Sequence, residues 1–249
     1  MKSRDGWLLV ALGVLFLASR RERKGSDPMT LQPNQFAPSV RFWEVPLVEA
    51  GSEAVAPIAF LLSWLRIESG GNENAMGSPI PSLGWTSDGQ PSEVSIWQLD
   101  PGNRRTAGGF TAAELRSMPS VPGNKPATEA FRTAPLSSAF VAKQIAAGLN
   151  YIRDARRQVD ASLSLNGVPW LFPSVDYLRA VKSIHGSTMV VSDGIPLAVR
   201  KLGRAPKSFA ELATVLRANR SGLPLLNVQF PNGRTMLDAV LDNAIETAT

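Results

Sequence analysis

Glu68 is the residue whose surroundings best fit acid–base chemistry. It closes a segment, Val55 to Ser69, in which Leu61, Leu65 and Glu68 recur at i, i+4 and i+7, the spacing of one helical face. Gly70 and Gly71 follow as a stop signal, because glycine adopts the left-handed conformation that ends helices. A carboxyl on an apolar stripe at a helix C-terminus is disfavoured as a charge twice, by desolvation and by the negative end of the dipole. Those are the conditions a general acid working near neutral pH needs. The bland alternative is a helix-end glutamate turned out to solvent. Composition removes most rivals. With no Cys there is no thiol nucleophile, no Cys-ligated zinc and no disulfide framework. A single histidine, His185, rules out multi-His metal sites. No metal and no cofactor is expected.

The elements that must position Glu68 are mostly helices. A chain of 249 residues with 44% hydrophobic content and six Trp has ample material for a core. Thr111 to Glu114 and Ser208 to Glu211 have the form of capping boxes. Thr235 to Asp238 marks a further helix start. A long helix is predicted over about Ser138 to Leu163, from the repeat Val141, Ile145, Leu149, Ile152 and Val159. Another runs from Ser174 to Gly186. Strand signals are few, chiefly Val94 to Leu99 and Thr188 to Val191. The expected fold is mainly α with a small β element, an α+β body of residues 52–249. Before it, residues 25–51 carry Pro28, Pro33, Pro38 and Pro46 around Phe36, Phe42 and Trp43, which reads as an extended arm packed partly on the body.

The net charge of +5 is concentrated at the N-terminus. Residues 1–24 hold six basic residues against Asp5 and Glu22, leaving about +1 for the remainder. No basic stripe remains on the body to meet phosphates, so nucleic acid is not an expected partner. The charges flank Gly6 to Ser19, fourteen uncharged residues spanning about 21 Å as a helix. That is short for a membrane span, but snorkelling Lys2, Arg4 and Arg20 extend it. A basic run and not a small-residue cleavage site follows, so residues 1–24 read first as an uncleaved anchor helix, with a signal peptide or a buried helix as the alternatives.

The residues around Glu68 bear a family likeness. Ser63-Trp-Leu-Arg-Ile-Glu68-Ser-Gly-Gly-Asn72-Glu-Asn-Ala75 resembles the first motif of the soluble lytic transglycosylase and goose-type lysozyme family, an apolar helix ending in Glu-Ser-Gly-x-Asn. Ser95-Ile-Trp-Gln98-Leu resembles its second motif, Gly-Leu-Met-Gln-Ile, which lines the sugar cleft. The likeness implies a lysozyme-like fold, a catalytic Glu68, and substrate contacts from Ser69, Ile96, Trp97 and Gln98. The gap from Glu68 to Gln98 is 30 residues, longer than the family's usual spacing, with Gly77 to Pro91 as an insertion at the cleft edge. Ser95 stands where the family has Gly. The third motif, Ala-Tyr-Asn-Ala-Gly, has Ala180 to Gly186 as its best counterpart, without the Tyr-Asn pair. Tyr177 or Tyr151 is then the hydroxyl expected to support Glu68. His185 reads either as a helix-end dipole partner or as a sugar or peptide contact.

The resemblance implies a reaction needing one carboxylate. Ordinary glycosidases use two, and Asp88, Glu93 or Asp100 would be the second in a hydrolytic lysozyme. The family's transglycosylases instead let the muramic acid's own C6 hydroxyl attack C1, giving a 1,6-anhydro product. Glu68→Gln is accordingly expected to abolish cleavage of peptidoglycan glycan strands and to keep the fold. Basic residues after the anchor resist translocation of the body, which points away from a host envelope enzyme. A bacteriophage virion protein, held in a viral membrane by residues 6–19 beside other virion proteins, fits better. A bacterial cell-wall remodelling enzyme of the inner membrane or periplasm is the alternative, and a non-catalytic structural virion protein a further one.

Overall fold

The computed structural model describes residues 33–72, 75, 95–99, 138–166, 174–230 and 232–247. Along the chain the helices are α1 (Pro38–Arg41), α2 (Glu44–Glu49), α3 (Ile58–Glu68), α4 (Ser138–Leu165), α5 (Ser174–Gly186), α6 (Met189–Ser192), α7 (Gly194–Leu202), α8 (Phe209–Ala218) and α9 (Met236–Thr247). Short 3-10 turns at Pro33–Gln35, Ser52–Ala54 and Arg220–Gly222 link them. The fold is mainly α. Among the described residues no helix is long and apolar enough to cross a membrane. The anchor expected at residues 6–19, the insertion Gly77 to Pro91 and the capping box at Thr111 lie outside the described residues.

Local signals read correctly where a side chain caps its own helix. Ser208 Oγ accepts from Glu211 N–H at 3.0 Å, opening α8. Arg204 grips the Glu211 carboxylate, which also accepts from Lys207 N–H, and together they pull its pKa down to about 2. Thr235 and Asp238 exchange bonds in both directions ahead of α9, N–H to Oδ2 at 3.3 Å and N–H to Oγ1 at 3.2 Å. The second is a reciprocal capping box, whereas at Ser208 the hydroxyl caps the helix and the Glu211 carboxylate reaches Lys207 N–H. The long helix and the helix ending at Gly186 also stand where the periodicity places them.

Three expectations are corrected. The segment after Pro33 is not an extended arm but a series of helical turns, and it is built into the core: Phe36, Val40, Trp43 and Leu47 are buried with the residues of α3 and α4. Proline is the reason. Pro38 starts α1 and Pro46 sits inside the first turn of α2, where its missing N–H is no loss. Val94 to Leu99 does not form a strand over its described part. Ser95 and Gln98 have φ of 74° and 49°, which coil residues 95–98 into turns. Thr188 to Val191 is likewise helical, its amides bonding back to Ser187 and Thr188. Among the described residues no β-strand is present, only isolated bridging such as Gln229 with Thr235.

The core is aromatic where it matters for the site. Trp43, Trp64 and Trp97 are fully buried. Trp64 stands perpendicular to Trp97 at 6.2 Å and to Tyr151 at 6.4 Å between ring centroids, geometries favoured by the ring quadrupole. Trp97 lies against α4 with its indole N–H donating to Gln144 O at 2.9 Å. Gly148 makes that possible, since a Cβ there would fall closer than 3.0 Å to three indole atoms. Gly148→Ala is therefore expected to destabilise the protein although alanine is the better helix former. The propensity gain is about 1 kcal/mol, whereas overpacking a buried ring costs about 1–3 kcal/mol or more. A net loss of about 1–2 kcal/mol in a denaturant titration is the expected result. A gain would mean the indole is not held there.

Candidate active site

Glu68 is the last residue of α3 and is buried. Gly70 and Gly71, with φ of 65° and 80°, turn the chain away immediately after it. The turn is fastened from the N-terminal segment: Trp43 Nε1 donates to Gly71 O and Ser39 Oγ to Gly70 O, both at 2.9 Å. Gly71 passes so close to the Ser39 carbonyl that no side chain fits. Ser69, expected to contact substrate, instead braces this turn. Its hydroxyl donates to Leu65 O and accepts from Gly71 N–H.

The carboxyl of Glu68 does not turn to solvent. Its Oε1 is ion-paired with Lys182 and lies 3.3 Å from His185 Nδ1, and the two acid–base partners' side chains are 1% and 2% exposed for Glu68 and Lys182. Lys182 and His185 stand one turn apart on α5, which brings both to the same face. Lys182 also lies 4.9 Å from the centre of the Trp64 ring, a cation–π placement that helps hold a buried ammonium. Sequence reasoning identified His185 but not Lys182. On a helix read only by its apolar repeat, a lysine looks like a solvated surface residue.

His185 joins the two motifs. Its Nε2 lies 3.1 Å from both Trp97 O and Gln98 O, so the 95–99 segment is held against the helix that carries Lys182. His185 is thus turned inward and not toward a ligand among the described residues. The remaining members of the second motif are structural in this arrangement. Ile96 and Trp97 are buried in the core, Ile96 N–H donates to Gln144 Oε1 at 3.1 Å, and Gln98 Nε2 donates to Ala75 O and Ser95 O. Gln98 therefore ties the second motif to the end of the first. Of the two tyrosines, Tyr177 turns away. Its hydroxyl donates to Asp160 at 2.8 Å, and burial, with that carboxylate beside it, holds the hydroxyl above its ordinary range. Tyr151 is the one beside the cluster, its ring perpendicular to His185 at 5.7 Å. Asp88, Glu93 and Asp100 lie outside the described residues.

Ser95 holds a backbone conformation that favours glycine. At φ 74° its Cβ is strained, by about 1–2 kcal/mol for a residue of this handedness, and its hydroxyl, accepting from Trp97 N–H at 3.4 Å, is the side-chain contact that offsets part of this. Ser95→Gly should be more stable than Ser95→Ala by about 1 kcal/mol. Equal midpoints for the two in urea would exclude the left-handed turn.

Among the described residues no cluster of His, Asp and Glu has the makings of a metal site. Compared with known proteins, the chain matches no family model, no curated protein and no solved structure.

Proposed function

We propose that this chain is a peptidoglycan lytic transglycosylase that cleaves the β-1,4 bond between N-acetylmuramic acid and N-acetylglucosamine with Glu68 as its one acid–base group. The observation that carries this reading is convergence. The end of α3, the 95–99 segment and the end of α5 are far apart in sequence, yet all meet at the Glu68 carboxyl through His185. They are the three segments that resemble the family's motifs, in the family's order. The left-handed turn at Ser95, where the family has glycine, supports the same reading.

In the proposed reaction Glu68 gives its proton to the leaving glycosidic oxygen as the C1–O bond breaks. The resulting carboxylate takes the proton of the C6 hydroxyl as that oxygen closes onto C1. Proton and water balance without a second carboxylate, and a hydrolytic lysozyme would differ only in using water for the second step. The acid is 1% exposed, so a sugar oxygen reaches it only when the groups covering it move aside. A purified-murein zymogram tests the activity, and product mass separates lyase from hydrolase, the anhydro product being lighter by one water.

A second reading is favoured by that same burial. Glu68 and Lys182 form a core ion pair, which suits a non-catalytic structural protein on a similar scaffold. Absence of clearing on murein by the folded protein would decide for it. The placement of basic residues after Gly6 to Ser19 supports a bacteriophage virion setting in which a membrane-held protein opens the wall locally during genome delivery. Co-purification with particles and release by detergent is the expected fractionation. Recovery from the bacterial envelope alone would favour a remodelling enzyme.

A further inference from the structure

We infer that Glu68 and His185 hold one proton between them, and that His185 is the positioning residue that keeps this proton available to the acid; the second half rests on the proposed role of Glu68. The argument starts at the far side of the imidazole. Nε2 faces two backbone carbonyl oxygens, of Trp97 and Gln98, each at 3.1 Å. Carbonyl oxygens only accept hydrogen bonds, so Nε2 carries a hydrogen. In a neutral ring Nδ1 is then an acceptor with its lone pair in the ring plane. It lies 3.3 Å from Glu68 Oε1.

Two lone pairs facing each other in a buried site repel. A proton between them removes the conflict, either as a carboxylic acid donating to Nδ1 or as an imidazolium donating to the carboxylate. The remaining capacity of Oε1 is taken by Lys182, which donates to the same oxygen. The described groups facing the pair are Lys182 one turn back on α5, Tyr151 from α4 and Trp64 from α3. With the proton present the cluster carries one excess positive charge. The two aromatic rings, perpendicular to the imidazole at 5.7 Å each, are an environment that tolerates it.

This gives Lys182 and His185 opposite duties. Lys182 stabilises the carboxylate that forms when the glycosidic oxygen leaves, while His185 keeps within the site the proton whose loss the charge of Lys182 favours. In the lyase cycle the C6 hydroxyl returns the proton to Glu68, so the pair ends each turnover as it began.

His185 is the single histidine of the chain, so full-length protein labelled with ring-15N histidine gives one signal per nitrogen. At about pH 7 both nitrogens should read as protonated or, for Nδ1, as a strongly hydrogen-bonded acceptor. A plain lone-pair signal from Nδ1 at that pH would overturn the shared proton and leave Lys182 as the bridge. The second measurement is the pH profile of murein cleavage by His185→Gln, whose amide still donates to the carbonyls but has no place for the proton. Cleavage should fall on the order of tenfold at about pH 7, less than loss of the acid itself, and fall less at about pH 5, where solvent supplies protons more readily. Equal loss at both values would mean a merely structural role and sink the positioning half. If the wild-type protein cleaves no murein, the enzyme reading fails while the spectrum still decides the shared proton.

Discussion

Glu68→Gln is expected to cost about 3–5 kcal/mol of stability, as breaking one partner of a buried ion pair does. The amide keeps the shape of the glutamate, which on sequence grounds leaves the fold intact. The structure changes that expectation, because Lys182 is 2% exposed and its ammonium is left without a counter-charge. Replacing both partners removes the difficulty, since an apolar pair of similar volume is often as stable as the ions. Glu68→Gln with Lys182→Met should therefore recover most of the loss in a urea titration. On the proposed reading, cleavage falls about 10²–10⁴-fold in either variant, the usual contribution of a general acid. The double variant thus separates the two roles of Glu68. A single variant within about 1 kcal/mol of wild type would show that Lys182 reaches water and that the pair is not a core element.

The larger loss is expected from removing the N-terminal segment. A chain beginning at Gly25 should unfold in one cooperative transition, whereas a chain beginning at Ser52 should show none. Phe36, Val40, Trp43 and Leu47 are each buried in the common core. At about 1.5–3 kcal/mol per fully buried side chain, their removal costs on the order of 6–12 kcal/mol, an upper figure because the unfolded chain also buries some surface. Typical domains have about 5–15 kcal/mol in all. The same deletion takes away Trp43 Nε1 and Ser39 Oγ, which fasten the Gly70–Gly71 turn behind the acid. Cooperative unfolding of the shorter chain at an unchanged midpoint would show that this segment merely lies on the surface. Near-ultraviolet circular dichroism, which reports the buried tryptophans, gives an independent check.

What the sequence determined by itself is everything set within a few residues. The caps at Ser208 and Thr235 are visible because donor and acceptor lie three residues apart. The end of α3 at Glu68 follows from the two glycines, whose left-handed backbone no other signal is needed to foresee. The helix repeat of α4 and the end of α5 at Gly186 are legible for the same reason.

Only the tertiary structure decided which side chains the acid meets. Lys182 is separated from Glu68 by 114 residues, and no local rule distinguishes a lysine that will be paired in the core from one that will be solvated. Trp97 and Ile96 have the residue types of a sugar-binding wall, yet burial against α4 makes them core. Tyr177 and Tyr151 both sit on helices that pack together, and only their rotation about the helix axes sends one hydroxyl to Asp160 and one ring to His185. The Pro-rich segment reads as extended because proline breaks helices in their interiors; its helical turns form because Pro33, Pro38 and Pro46 fall in first turns and Phe36 and Trp43 join the core with α3. Propensity is a local energy of tenths of a kcal/mol to about 1 kcal/mol per residue, and burial of a large apolar side chain outweighs it several-fold.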